Sequence, residues 1–172
     1  IIRKFFTKNL LEPNKKEKAL SKKNQTNLDN LIKDNHFQDA LLLLKNLELT
    51  FLKNTEIKTY RGIIFRKLNN ISNAVYMFEE GIKINPLFKN PYIELANIYL
   101  SQRNFVEAKN FFIRASLIDI DDPYVCEGVI LSLFHLEQFD QALLYFNMFN
   151  IKIKRNSNIL NNIGLCCQKL KN

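Results

Sequence analysis

Apolar residues recur along this chain at helical spacing, and the whole pattern then recurs every 34 residues. A small site falls at Ala40, Ala74, Ala108 and Ala142. Four residues later comes a bulky site, at Leu44, Phe78, Phe112 and Phe146. Three residues before each alanine lies another apolar site, at Phe37, Ile71, Phe105 and Phe139. Earlier in each unit an apolar position falls at Leu31, Phe65, Tyr99, Leu133 and Cys167. Spacings of three and four put such residues on one helix face, so each unit predicts a helical hairpin. Small residues at Gly62, Ala96, Gly164 and the four alanines allow helix backbones to approach closely, and the aromatics fill the space around them. A single hairpin cannot bury its apolar face alone, so neighbouring hairpins stack.

The breaks between periodic stretches place the elements. Residues 21–34 form the first helix of the first unit, with few apolar positions, mainly Leu28, Leu31 and Ile32, as suits a terminal repeat facing water. Residues 37–50 form its second helix. Residues 55–68 and 71–84 make the next pair, with Asn69-Asn70 at the turn. Pro86 disfavours helix at Asn85, and Asn90-Pro91 restarts one, with Asn90 as N-cap. The third unit runs to about residue 119. The fourth spans 123 to about 152 with its turn near Glu137-Gln138, and residues 157–170 read as one more first helix. Asp119, Asp121 and Asp122 cluster before Pro123 without further ligands at metal spacing, so Asp122 reads as a helix cap.

The densest stretch reads Tyr92-x-x-Leu95-Ala96-x-x-Tyr99, then Ala108-x-x-x-Phe112, then Ala115. It resembles the tetratricopeptide repeat signature, and the resemblance covers roughly residues 21–172. It implies an all-α, right-handed solenoid of stacked antiparallel helix pairs, with units at about 21–54, 55–88, 89–122, 123–156 and a partial 157–172. The chain departs from the pattern in several places. It has no Trp, Tyr92 being the nearest substitute, and the turn proline at Pro86 is Ile120 in the next unit. Leu28 and Ile130 replace a small residue in two units, and the large Leu47 and Phe149 replace a second one.

The same resemblance implies that the first helices line a concave binding face. Its lining would be Ile63, Arg66, Lys67, Ile93, Asn97, Leu100, Tyr124, Glu127, Leu131 and Phe134. Some of these also serve to pack adjacent first helices. Apolar anchors with a few polar groups suit a bound peptide or helix, and Arg66 and Lys67 favour acidic residues flanking its anchors. Chaperone-binding members of the family use a clamp of Lys, Asn and Arg. The matching positions here are Thr59, Ile63, Glu94, Tyr124 and Gly128; one unit earlier they are Gln25, Asp29, Tyr60, Asn90 and Glu94, and one unit later Ile93, Asn97, Gly128, Asn158 and Asn162, where Asn97 alone matches outright. None is basic, which disfavours an acidic chaperone tail as the ligand.

Charge changes the picture only at one end. The formal net charge is +8, but residues 1–23 hold eight Lys/Arg and two Glu, while the remainder holds 17 Lys/Arg and 15 Asp/Glu. The repeat region is near neutral, so the basic character belongs to a tail. Residues 1–20 read as a basic N-terminal helix and linker. The helix, at residues 1–12, is either a capping helix or the remnant of an organellar presequence or a membrane-surface contact. The chain does not begin with Met, which points to a processed or partly observed product. No apolar run reaches the roughly 18 residues a membrane span needs.

Candidate chemistry is sparse. His36 and His135 lie in different units without ligands at useful spacing. Cys167, of the adjacent pair Cys166-Cys167, falls on a core site and reads as a small buried residue. Three cysteines without a framework favour a reducing, intracellular compartment, cytoplasmic or alternatively mitochondrial. Phosphate loops, nucleophile elbows and paired carboxylates do not appear, so neither an enzyme, a cofactor nor a metal site is expected. The expected function is a non-catalytic protein-binding scaffold, a subunit of a larger assembly. The alternatives are an RNA-associated helical-repeat protein of an organellar ribosome or RNA-processing complex, with RNA held by the basic tail, and a regulatory part of a longer enzyme.

Overall fold

The computed structural model describes residues 19–148 and 156–171. Among them are nine helices and no strand: α1 (Lys22–Lys33), α2 (Phe37–Thr50), α3 (Thr55–Lys67), α4 (Ile71–Ile84), α5 (Asn90–Ser101), α6 (Phe105–Ile118), α7 (Pro123–His135), α8 (Phe139–Asn147) and α9 (Ser157–Lys171). The expected bounds hold to within a residue or so for the helices whose ends were assigned. The helix expected at residues 1–12, and Phe149, lie outside the described residues.

The helix starts follow from side chains that accept the orphan N–H groups of a first turn. Asn54 Oδ1 accepts from Ile57 N at 2.9 Å, and Asp122 Oδ1 accepts from Tyr124 N at 3.0 Å, with Pro123 in the first turn as expected. Asn90 is already helical, one position further in than the cap it was expected to be.

The turns inside the hairpins repeat as strictly as the core. Asn35, Asn69, Arg103 and Glu137, each 34 residues after the last, all have φ between 57° and 61°. Each sits at a helix end closed in the same way. His36 N, Asn70 N, Asn104 N and Gln138 N donate back to the carbonyls of Leu31, Phe65, Tyr99 and Leu133 at 2.8–2.9 Å. This closure satisfies carbonyls that the helix leaves open and requires one left-handed residue. Asn tolerates that conformation, whereas Arg and Glu adopt it at a cost.

By contacts the chain falls into two units, Ile1–Pro91 and Tyr92–Asn172. An array in which each hairpin touches mainly its neighbours has no single centre. In the first unit, α1 packs on α2, α2 on α3 and α3 on α4. Its core gathers Leu20, Leu28, Ile32, Ala40, Leu44, Ile57 and Ile64. In the second unit, α6 packs on α7, while α7, α8 and α9 touch one another. Tyr99 of α5 stacks on Phe111 of α6 at 5.5 Å between ring centres. The four periodic alanines are fully buried, as are Leu44, Phe78 and Phe112, whereas Phe146 is half-buried.

At Gly62, the small site of the second repeat, a phenylalanine fills the space. A Cβ on Gly62 would stand 2.7 Å from Cδ1 and 2.8 Å from Cζ of Phe78. In the next repeat that site is Ala96, and the ring of Phe112 rests over Gly128 of α7, where a Cβ would lie 2.5 Å from its Cε1. In the fourth repeat Ile130 fills the site. Leu28, the bulky replacement in the first repeat, is opposed by Leu44 rather than Phe and is fully buried.

Two expectations for α9 need correction. Gly164 was expected at a close helix approach, yet it is exposed, and a Cβ there would meet nothing within 4 Å. Cys167 was expected in the core, yet it is exposed, while Cys166 is fully buried. Both expected sites are ones that face the second helix of their own hairpin in earlier repeats. The described residues hold no such helix after α9, so only the face turned to α7 and α8 is covered. Cys166 takes the place of Ile64, Ile98 and Ser132, all buried and all 34 residues apart.

Candidate functional site

The ten residues expected to line a binding face all keep some solvent access, in contrast to the periodic core sites. In the first unit, Ile63 and Arg66 of α3 are half-buried and Lys67 is exposed. In the second, Ile93, Asn97 and Leu100 of α5 and Glu127, Leu131 and Phe134 of α7 are half-buried. Tyr124 is 53% exposed.

Hydrogen bonds tie several of these together. The Tyr124 hydroxyl donates to Asn97 Oδ1 at 2.8 Å, which links α7 to α5. Asn158 Nδ2 of α9 donates to Glu127 Oε2 at 3.4 Å. Phe112 approaches the Tyr124 ring edge-on at 6.3 Å. Phe134 is held differently. Its ring lies 5.7 Å from Phe139 across the hairpin turn and 5.7 Å from His135, which itself stacks on Phe105 at 4.3 Å. Phe134 therefore belongs in part to the packing of its own turn, while Tyr124 stands out from α7 at the other end.

The first unit contains a cavity of about 370 Å³. From α1 it is lined by Gln25 and Asp29, and from α3 by Glu56, Thr59, Tyr60 and Ile63. Phe88 and Asn90 complete it. Of the expected face residues only Ile63 reaches it. Gln25, Asp29, Tyr60 and Asn90 also match positions of the family's basic clamp, and the cavity they line carries carboxylates instead.

The polar groups of this cavity are fixed by short bonds. Tyr60 donates to Asp29 Oδ1 at 3.0 Å. Glu56 Oε2 accepts from Gln25 Nε2 at 3.0 Å and from Leu20 N at 3.2 Å, and Gln25 Nε2 also reaches Leu20 O at 3.3 Å. Burial above all, then the charge of Asp29 and its hydrogen bond, then the charge of Glu56, raise the Tyr60 phenol well above its ordinary value. The Gln25–Glu56 bridge and the Asn158–Glu127 bridge occupy equivalent places, 102 residues apart, with amide and carboxylate exchanged. Glu56 and Phe88 carry no motif that would have singled them out, and Thr59, Asp29 and Tyr60 were legible only as positions that lack a basic residue.

Among the described residues no group of three or more His, Cys, Asp or Glu side chains is placed to hold a metal ion. No helix there is long and apolar enough to cross a membrane.

No protein-family model matches the chain. Tetratricopeptide repeat protein 6 of Homo sapiens is 29% identical over 80 residues, which is 46% of this chain and 15% of that protein. The chain thus matches a small part of that relative's length. Among solved structures, pilF of Pseudomonas aeruginosa matches with a TM-score of 0.71 at 14% identity, over 86% of this chain and 68% of that one. MamA from AMB-1 matches with a TM-score of 0.65 at 15% identity, over 86% and 81% of the two chains. YrrB, described as a TPR protein with an unusual peptide-binding site, matches with a TM-score of 0.64 at 16% identity, over 73% and 65%. The fold of this chain is the tetratricopeptide repeat fold.

Proposed function

We propose that this tetratricopeptide-fold chain is a non-catalytic protein-binding scaffold and a subunit of a larger assembly. It takes a peptide or helix of its partner against the first helices of its repeats. The observation that carries this reading is the solvent access retained at Ile63, Arg66, Lys67, Ile93, Asn97, Leu100, Tyr124, Glu127, Leu131 and Phe134 while the periodic small sites are sealed. These residues offer apolar and aromatic anchors beside polar groups that set register. YrrB, with the same fold, carries a peptide-binding site by its description. Arg66 and Lys67, in the last turn of α3, favour acidic residues in the bound segment. Residues 24–172 hold 17 Lys/Arg and 15 Asp/Glu, a balance that suits a protein partner better than a phosphate backbone. Cys126 and Cys166 are buried unpaired thiols, which fits a reducing, intracellular compartment.

Affinity capture with mass spectrometry names the partner, and calorimetry then tests the face. Tyr124→Ala weakens binding by about 2 kcal/mol, the usual loss for a truncated aromatic anchor. Phe134→Ala weakens it less, because that ring is shared with Phe139 and His135. Full affinity in both variants, with helicity unchanged, moves the interface off the first helices.

A further inference from the structure

We propose that the cavity between α1 and α3 is an anchor pocket for a lysine or arginine side chain of the bound protein segment. This rests on the peptide-binding reading above and adds the chemistry of one subsite. The cavity's size, about 370 Å³, falls at the small end of the roughly 300–1,000 Å³ typical of ligand sites. Its lining contains two carboxylates, Asp29 and Glu56, and no Lys, Arg or His. Each carboxylate is held by donors at one oxygen, Asp29 Oδ1 by Tyr60 and Glu56 Oε2 by Gln25 and Leu20 N. Among the described residues no cation forms an ion pair with either.

The rest of the lining suits the stem of such a side chain. Ile63, Phe88 and the Tyr60 ring offer apolar walls for the methylenes. An ammonium or guanidinium can also rest on an aromatic face. Burial first, and then the charges of Asp29 and Glu56, keep the Tyr60 phenol protonated. A carboxylate-bearing ligand would meet like charge here, whereas a cation lies between an exposed carboxylate, Asp29, and a half-buried one, Glu56.

The test uses the full chain and fluorescent hexapeptide pools, random except for a third position fixed as Arg, Lys, Glu or Ala. Fluorescence anisotropy should show the Arg and Lys pools binding about tenfold or more tighter than the Glu and Ala pools. That preference should fall as ionic strength rises. Asp29→Asn with Glu56→Gln should abolish it while leaving the melting temperature and the Ala-pool affinity unchanged. Tyr124→Ala should leave it intact. If all pools bind equally, or the double variant keeps the preference, the basic subsite is wrong while the peptide-binding reading stands. If no pool binds and the captured partner engages no first helix, both fall. Binding that emerges only after Lys15, Lys16 and Lys18 are changed to Gln would overturn the partner and assign the cavity to the chain's own basic segment.

Discussion

Replacing Gly62 by alanine adds one methyl at a point the ring of Phe78 already occupies. The new Cβ would stand 2.7 Å from Cδ1 and 2.8 Å from Cζ, closer than carbon atoms tolerate. Phe78 is fully buried, so its ring has no open side to turn into. Overpacking of this kind costs about 1–3 kcal/mol. Alanine also gains about 1 kcal/mol over glycine in helix propensity, which offsets part of that cost. Gly164 provides the control. It holds the same repeat position, lies in a helix, and has nothing within 4 Å of its would-be Cβ. Gly164→Ala therefore receives the propensity term without the clash, and the two variants should differ by about 1–3 kcal/mol. Urea unfolding followed at 222 nm measures the difference. Hydrogen exchange in α3 and α4 accompanies it, because repeat arrays can unfold in parts. In the Gly62→Ala background, Phe78→Leu should cost less than it does alone, by about 1 kcal/mol. Equal stability of Gly62→Ala and Gly164→Ala would refute the knob-and-notch account of this hairpin.

Arg103→Gly and Glu137→Gly should each raise stability by about 0.5–1 kcal/mol, because both residues hold a left-handed conformation that glycine adopts freely, and thermal unfolding checks this. Tyr145 should make the fold sensitive to alkali. Burial pushes its phenol up to about 12, against about 10 in the unfolded chain, so its contribution is fully present below about pH 10 and lost as pH rises towards 12. Tyr145→Phe should flatten the urea midpoint over that range. Iodoacetamide at about pH 8 should label Cys167 first, since it is exposed, while Cys126 is buried with its thiol pushed up to about 12. Mass spectrometry of the modified peptides reads the order.

Much of the fold was legible because the contacts that hold it repeat. Ala40, Ala74, Ala108 and Ala142 are each fully buried, so a strict period in sequence implied a strict period in packing. The turns were half legible. Asn69-Asn70 and Glu137-Gln138 were both read as turns, but Arg103 and Glu137 hide a left-handed residue behind side chains that do not favour one. Gly128 was missed as a packing residue because it lies off the small site of its own repeat. The ring it meets is that of Phe112, which belongs to the preceding hairpin. Cys167 and Gly164 were misread because periodicity assigns a face and cannot supply the helix that covers it.

The candidate site was less legible because the fold does not constrain its chemistry. Asp29, Ile63, Asn97 and Leu131 stand at one position of four successive repeats, and each is of a different kind. The buried positions must stay apolar and of fixed volume for hairpins to stack. A position that keeps solvent access carries no such demand, so its residue is set by what it meets. The two bridges between first helices show how loose the demand is. Gln25 donates to Glu56 in one, and Asn158 donates to Glu127 in the other, with donor and acceptor on opposite helices. Either arrangement serves the stack, because both join the same two positions with one hydrogen bond. They differ in where they leave the carboxylate. In the first unit it stands in the cavity beside Asp29, and that placement, rather than the repeat itself, gives the cavity its negative charge.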